Sequence, residues 1–396
     1  MKKRYQEDLE YFLNLAEQKR GKELDKEYPK ETMHLDFYFN HSKEELYSYI
    51  KDFTTSHPIT NDYDFYYLMN CIIKYMSGTT DAHTRILKID NDNSFPISLK
   101  AIDDKIYIIK CNDKNLIFSE LLKINGIDIN LIINEIEKCT AYGAYGWFLY
   151  KLHFNLINKN ILLSLPSIDS KCKYIEYTTS KGNIKFEVNR DYSEEKNNIK
   201  NINFKQIEIR ENILIFKYPK CNNKYAPDIK KIKLIISNNK IQNFVLDLRE
   251  NFGGQSSIIE PLIKYLKHSK LNLFTVVNRT VFSSGRWAAI YMKKIGSKIV
   301  GQDIGTPINC FGYNFGSGEL PNTKFKFNFS RVYWYENKNH IMKGIYTKKE
   351  LHKKPKEFFK PKFLKIDYYI NLTINDYKLN KDVTLDKCCE WINKNI

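Results

Sequence analysis

Residues 243–254 read NFVLDLRENFGG. The stretch NFVLDL is a continuous apolar run, the pattern of a parallel strand buried on both faces. Two adjacent glycines, Gly253 and Gly254, then let the backbone take unusual dihedrals and bring N–H groups close to a ligand. A helix is expected over 257–267, with Ser257 and Glu260 spelling a capping box and Pro261 weakening its first hydrogen bond. Ligands of open α/β sheets bind at this end of the strands, where a helix N-terminus adds positive partial charge. The dinucleotide pattern G-x-G-x-x-G is absent.

Working outward, a helix is expected over 225–238, a strand over 272–277 (NLFTVV), a helix over 284–295 and a strand at SKIVG, 297–301. This β-α-β-α-β alternation makes 205–315 an α/β layer with right-handed crossovers. Upstream, 160–216 alternates short β-rich runs (LPSIDSKCKYIEYT, NIKFEVN, KQIEIRENILIFKY) with polar turns, which fits a largely antiparallel arrangement. Residues 118–138 read as a strand, an Asn-Gly turn at 125–126 and an amphipathic helix. Strands are also expected at 84–89, 95–101 and 105–111. Helical spacing marks 4–18, 43–53 and 63–77, the second opened by a Ser42–Glu45 capping box.

The chain has 396 residues, with 63 basic against 46 acidic, a net charge of +17. That length suits roughly two to three domains. Aromatics at 14% and apolar residues at 42% are enough for a sizeable core, which excludes a disordered chain. No window approaches ~18 consecutive apolar residues, so no membrane-spanning helix is expected. The charged start lacks the apolar stretch of a secretory signal, and a cytoplasmic protein is expected. The eight cysteines form no C-x-x-C pair, which removes zinc-ribbon and thioredoxin readings and leaves reduced thiols. Lys accompanies abundant Ile, Asn and Tyr, so biased base composition accounts for the charge. The denser basic stretch at 348–365 reads as a solvated surface. No zinc-finger spacing or RNP-like motif supports nucleic-acid readout, and no nucleic-acid partner is expected.

Two further places could carry chemistry. In VFSSGRWAA, 281–289, Ser283 and Ser284 lie between a strand and a helix. A serine there either caps the helix or stands exposed as a nucleophile beside the next N–H group. The G-x-S-x-G elbow is missing, because position 281 is Val. In Asp81-Ala82-His83-Thr84, His83 sits between a helix and a strand among small polar residues. A serine nucleophile needs such a base, although a lone His is more often structural.

Together and in this order, DAHT (81–84), KINGIDI (123–129), LDLRENFGG (246–254), VFSSG (281–285) and IVGQDIGT (299–306) resemble the S41 peptidases. ENILIFKYPKCNN (211–223) and the tail also resemble that family, with Ile366 where its P-D-I-x-V segment has Pro. The resemblance implies a multi-domain α+β chain with a ClpP/crotonase-like α/β catalytic core. Its expected parts are an N-terminal helical region (1–90) ending in the His motif, a PDZ-like β-rich subdomain (91–175) and the peptidase core (176–396). It implies a serine peptidase acting on polypeptides through an acyl-enzyme, with no metal or cofactor. No Lys occurs between 299 and 320, which points away from the Ser/Lys branch and toward the Ser/His branch. Ser283 is then the nucleophile, fitting the family position better than Ser284, and His83 the general base. The N–H of Ser284 and that of Gly253 or Gly254 would bind the oxyanion. Glu336 or Glu350 would orient His83. Arg286 stands where members commonly carry an acid. That departure leaves a second reading, a catalytically inactive S41-like protein that binds peptides or other ligands in the same cleft.

Overall fold

The computed structural model describes residues 1–17, 41–87, 94–193, 195, 204–337, 342–346, 350–351, 353–379 and 381–395. The expected strand residues 88–89, helix residue 18 and positions 348–349 and 352 of the basic stretch lie outside them.

Three helices open the chain: α1 (Lys3–Glu17), α2 (Lys43–Ser56) and α3 (Asp62–Ser77). The Ser42–Glu45 capping box forms at α2, and Asn61 with Asp64 makes another at α3. After β1 (Arg85–Leu87) come the hairpin β2 (Ser98–Ile102) and β3 (Lys105–Lys110), then β4 (Leu121–Ile124) and β5 (Ile127–Asp128) around the Asn125-Gly126 turn. Helices α4 (Ile129–Lys138), α5 (Tyr145–Asn155) and α6 (Lys159–Ser164) lead to the hairpin β6 (Tyr174–Thr179) and β7 (Gly182–Glu187). These middle elements enclose one core, which includes Ile108, Ile124, Ile132, Phe148 and Tyr177.

The α/β layer follows: β8 (Ile207–Arg210), β9 (Ile213–Lys217), α7 (Ile229–Asn238), β10 (Asn243–Asp247), α8 (Glu260–Lys267), β11 (Asn272–Val277), α9 (Ser284–Lys294) and β12 (Lys298–Gly301). Next come the long hairpin strands β13 (Cys310–Glu319) and β14 (Lys326–Glu336), β15 (Met342–Ile345), β16 (Tyr368–Tyr369), α10 (Ile374–Lys378) and α11 (Val383–Asn395). The central sheet has six strands in the order β16-β12-β11-β10-β9-β8. All its pairings are parallel except β8 with β9. Successive residues of β9 point to opposite faces, and both faces are dry. Leu214 and Phe216 meet α7, α8 and α9, while Ile213 and Ile215 meet Leu385, Cys388 and Ile392 of α11.

A second sheet pairs β13 and β15 with β14, and β1 with β14 along the same strand. Helices α1 and α3 cover it through Tyr5, Phe12, Phe65, Phe325 and Phe327. Buried Asp8 clamps α1 to the β13–β14 turn, accepting from Asn322 N (2.7 Å), Thr323 N (2.8 Å) and Thr323 Oγ1 (2.6 Å). Among the described residues no helix is long and apolar enough to cross a membrane.

Two sequence expectations need correction. Ser257 does not cap a helix: it lies in a 3₁₀ turn (Ser256–Ile259), and α8 starts at Glu260 with no side-chain cap. Pro261 supplies the fixed φ of a first-turn residue and sets that later start. Likewise α7 begins at Ile229, capped by Asp228, after a separate 3₁₀ turn at Asn223–Tyr225.

One ion-pair cluster ties the central sheet to α11. The guanidinium of Arg249 reaches both carboxylates around it, Asp247 at 2.7 Å and Asp382 at 2.6 Å. Burial pushes the Arg249 pKa down, yet the two carboxylates hold it well above its ordinary value. Replacing Arg249 by Met strands two carboxylates and should cost about 3–5 kcal/mol, read as a lower urea midpoint with an unchanged slope. An unchanged midpoint would show that the cluster adds nothing to the docking of α11.

Candidate active site

The C-terminal ends of four adjacent parallel strands, β9 to β12, converge, as expected for the ligand end of an α/β sheet. Ser283 lies in the turn from β11 to α9. Its backbone is at φ +52°, ψ −122°, a region costly for any residue with a Cβ, by about 1–3 kcal/mol. It holds the N-cap position of α9 but makes no capping bond, and its Oγ hydrogen-bonds to none of the described residues. Ser284 does not cap either; its Oγ donates to the Gly254 carbonyl at 2.7 Å.

The Gly253-Gly254 loop lies directly against this turn. A Cβ on Gly253 would sit 2.8 Å from both Ser283 Cβ and Ser284 N, so only glycine allows this approach. The two glycines differ in what their N–H groups do. Gly253 N donates to Asn251 Oδ1 at 2.9 Å. Gly254 is bracketed by bonds from Cys221 N to Gly253 O (3.0 Å) and from Gln255 N to Cys221 O (2.8 Å). Its own N–H, and that of Ser284, bond to none of the described residues.

Asn251 organises the neighbourhood. It is fully buried; its Nδ2 donates to Tyr218 O (2.6 Å) and its carbonyl accepts from Phe282 N (3.0 Å). Sequence reasoning passed over it, although it sits inside the quoted motif.

His83 arrives from the other side. Buried Asp81 accepts from His83 N (2.7 Å), Thr84 N (3.1 Å), Thr84 Oγ1 (2.5 Å) and Ser330 Oγ (2.9 Å), fixing the turn between α3 and β1. The imidazole packs on Phe282, with ring centres 4.4 Å apart. Both ring nitrogens are shielded from solvent and make no well-formed hydrogen bond to the described residues, although the Phe311 backbone acts on the ring as an acceptor. Burial pushes its pKa down to about 4; Asp81 opposes this, and Arg286 and Arg85 reinforce it. His83 is therefore neutral at pH 7, the state in which an imidazole can accept a proton.

The expected acids do not reach it. Glu336 is solvent-facing and pairs with Lys294 at 3.3 Å, and Glu350 is exposed. Arg286 is buried instead, with Nη1 donating to Pro307 O (3.0 Å) and contacting Cys310 Sγ (2.7 Å), and with Nε unpartnered.

A further residue that the sequence did not single out is Lys151 on α5. Its amine lies 5.4 Å from the Trp147 ring centre. Burial pushes its pKa down to about 8, and Arg85 acts in the same direction. Trp147 in turn stacks on Phe282 at 4.0 Å. Elsewhere, a cavity of about 550 Å³ lined by Ile241, Tyr265 and Leu271 opens at the start of β10 and β11, the opposite end from Ser283.

No protein-family model and no curated sequence matches the chain. Solved structures do. Mature CPAF complexed with lactacystin superposes with a TM-score of 0.61 at 11% identity, covering 99% of each chain. Another structure of mature CPAF gives 0.59 at 10% identity, over 99% of this chain and 98% of that one. The photosystem II D1 C-terminal processing protease overlays more loosely, at 0.41 and 9% identity. The chain thus has an S41-like peptidase fold, mixed α/β and multi-domain. Within that class its architecture is that of mature CPAF over nearly its whole length.

Two outcomes follow from the local physics. Ser283→Gly removes the Cβ that is strained at φ +52°, whereas Ser283→Ala keeps it. The Gly variant should be the more stable by about 1 kcal/mol in urea unfolding; equal stability would mean the turn carries no strain. Stability should also depend on acid. The folded pKa of His83, about 4, lies below its ordinary 6.5. That of His153, which accepts from Ala101 N at 2.8 Å, is pushed by burial to about 3. The unfolded chain takes up these protons first, so stability is full above about pH 6.5 and falls as pH drops toward 4. A His83→Gln, His153→Gln double variant should flatten this slope in urea midpoints measured across that range.

Proposed function

We propose that the protein is a serine peptidase in which Ser283 is the nucleophile and His83 the general base. The observation that carries the reading is the Ser283 turn. A strained serine, its Oγ unbonded among the described residues, stands at the ligand end of the sheet, one residue from the Ser284 N–H and packed on Gly253, the residue before the Gly254 N–H. Strain held at one polar residue beside unsatisfied donors is what a preformed nucleophile and oxyanion hole require.

The reaction is acyl transfer. Ser283 Oγ bonds to a peptide carbonyl carbon while its proton passes to neutral His83. The oxyanion takes hydrogen bonds from Ser284 N–H and Gly254 N–H; Gly253 is excluded because its N–H is spent on Asn251. Collapse expels the amine, which leaves with the proton from His83. Water, activated by His83, then hydrolyses the acyl-enzyme. The Ser283–His83 hydrogen bond is not made in this state and has to form with substrate bound, as catalytic contacts commonly tighten. The same reading assigns the β-rich part, 91–175, as a PDZ-like segment that could hold substrate by strand addition.

One observation favours a second reading, a non-catalytic protein that binds peptides in the same cleft. Among the described residues no carboxylate hydrogen-bonds to the His83 ring.

Intact mass after treatment with a fluorophosphonate separates the two. The peptidase reading expects one adduct on wild type and on Ser284→Ala, and none on Ser283→Ala. No adduct on folded wild-type protein would favour the binding reading. The pH profile of the labelling rate then identifies the base. With His83 the rate rises through about pH 4 and is flat near neutrality. A rise through about pH 8 would give the role to Lys151 instead.

A further inference from the structure

Helix α5 carries aromatic residues on more than one side. Phe148 faces the middle core and is fully buried. Trp147, Tyr150 and Phe154 turn elsewhere. Trp147 lies flat on Phe282, with ring centres 4.0 Å apart and planes within 10°. Tyr150 packs on Phe154 at 5.0 Å and on Phe252 at 5.3 Å, and Phe252 also reaches Trp147 at 6.4 Å.

Two of these rings belong to the site's own loops. Phe282 immediately precedes Ser283. Phe252 sits between buried Asn251 and Gly253, the residue whose Cα abuts Ser283. Phe252 is nonetheless 43% exposed and Phe154 50% exposed. A large aromatic ring left in water, on a loop pinned at both ends, is costly unless something covers it. The charges nearby sit at its edge. Lys151 lies over the far ring, Trp147, and Glu250 acts on Tyr150 from the loop. Among the described residues no carboxylate hydrogen-bonds or pairs with the cations beside these rings to select a basic side chain; the nearby cations are Lys151, with Arg85 acting on it, and Arg279 beside Gly146.

We propose that Phe252 and the half-buried Tyr150, backed by the buried rings of Trp147 and Phe282, form the substrate subsite next to the scissile bond, and that it takes a bulky apolar side chain, aromatic above all. This rests on the assignment of Ser283 as nucleophile. Stacked or edge-on rings gain from a fourth or fifth aromatic partner, and a substrate ring would cover the exposed face of Phe252. Phe252 is the specificity-determining residue, since its backbone is tied to the oxyanion loop and its ring to α5.

The test uses peptidyl diphenyl phosphonates that differ only in the side chain beside phosphorus: Phe, Ala or Lys. The rate of Ser283 modification is followed by intact mass on the full chain, with diisopropyl fluorophosphate as a small probe lacking that side chain. Wild type should react with the Phe reagent about 10–100-fold faster than with Ala, and slowest with Lys. Phe252→Ala should bring the Phe-to-Ala ratio down about 10-fold, and Phe252→Leu should keep part of it. Because the ratio is internal to each variant, a general loss of reactivity does not mimic the effect. Equal rates for Phe and Ala in a wild type that diisopropyl fluorophosphate labels would overturn the subsite while leaving the nucleophile standing. So would a ratio untouched by Phe252→Ala and Tyr150→Ala. Failure of wild type to react even with the small probe would overturn both.

Discussion

Asn251 is fully buried and joins three chain segments with one residue. Its amide donates to Tyr218 O at the end of β9, and its side-chain oxygen accepts from Gly253 N in its own loop. Its backbone carbonyl accepts from Phe282 N in the nucleophile turn. Gly285 packs so tightly on Asn251 that a Cβ there would come within 2.4 Å of the same carbonyl. None of these groups can reach water, so each would be stranded if the loops separated. The relative placement of the Gly253-Gly254 loop and Ser283 is therefore set by satisfying a buried amide, a constraint stiffer than loop packing. The strained Ser283 backbone is sustained because the neighbouring bonds over-determine it.

How much of this could be read from the chain depends on what kind of signal each element carries. The parallel strands were legible because burial on both faces writes a continuous apolar run, as in NFVLDL and NLFTVV. The Asn-Gly turn and the α2 capping box were legible because each rests on local chemistry within four residues. The β13–β14 hairpin was not. It is rich in Gly, Asn and aromatic residues, and its partners (β1, α1 and α3) lie more than two hundred residues away. Helix α5 was missed because it is apolar on several sides, which removes the periodicity that marks a surface helix. It serves two surfaces, the middle core through Phe148 and the site through Trp147.

At the site, motif order brought Ser283, Ser284, Gly253 and Gly254 into one neighbourhood, and the structure has all four in contact across one turn. What motif order did not convey was the hydrogen-bond ledger, which separates Gly253 from Gly254 as donors. Nor did it reveal the surroundings of His83. A sequence search for an orienting acid assumes that the base must be paired with one. Here two buried charges act on the imidazole in opposite senses: Asp81, which favours the charged ring, and the cation Arg286, whose own partners are a carbonyl and a sulfur. Burial is the largest effect, and with that cation it outweighs Asp81 and keeps the imidazole neutral.

The buried polar atoms left without partners are unevenly distributed. Among the described residues they are both nitrogens of His83, Nε1 of Trp147, Nε of Arg286, Oη of Tyr218 and Oγ of Ser77. Trp147 and His83 each pack on Phe282, and Arg286 is three residues beyond Ser283. Folding normally satisfies such groups, because each one left bare costs about 1–3 kcal/mol. Most of the molecule obeys this: Asp8, Asp81 and Asn251 are buried and fully engaged. Four of the six belong to residues that pack on Phe282 or follow Ser283 on the same helix. Where unmet hydrogen-bonding capacity adjoins backbone strain, as around Phe282 and Ser283, a bound partner can satisfy what folding left open.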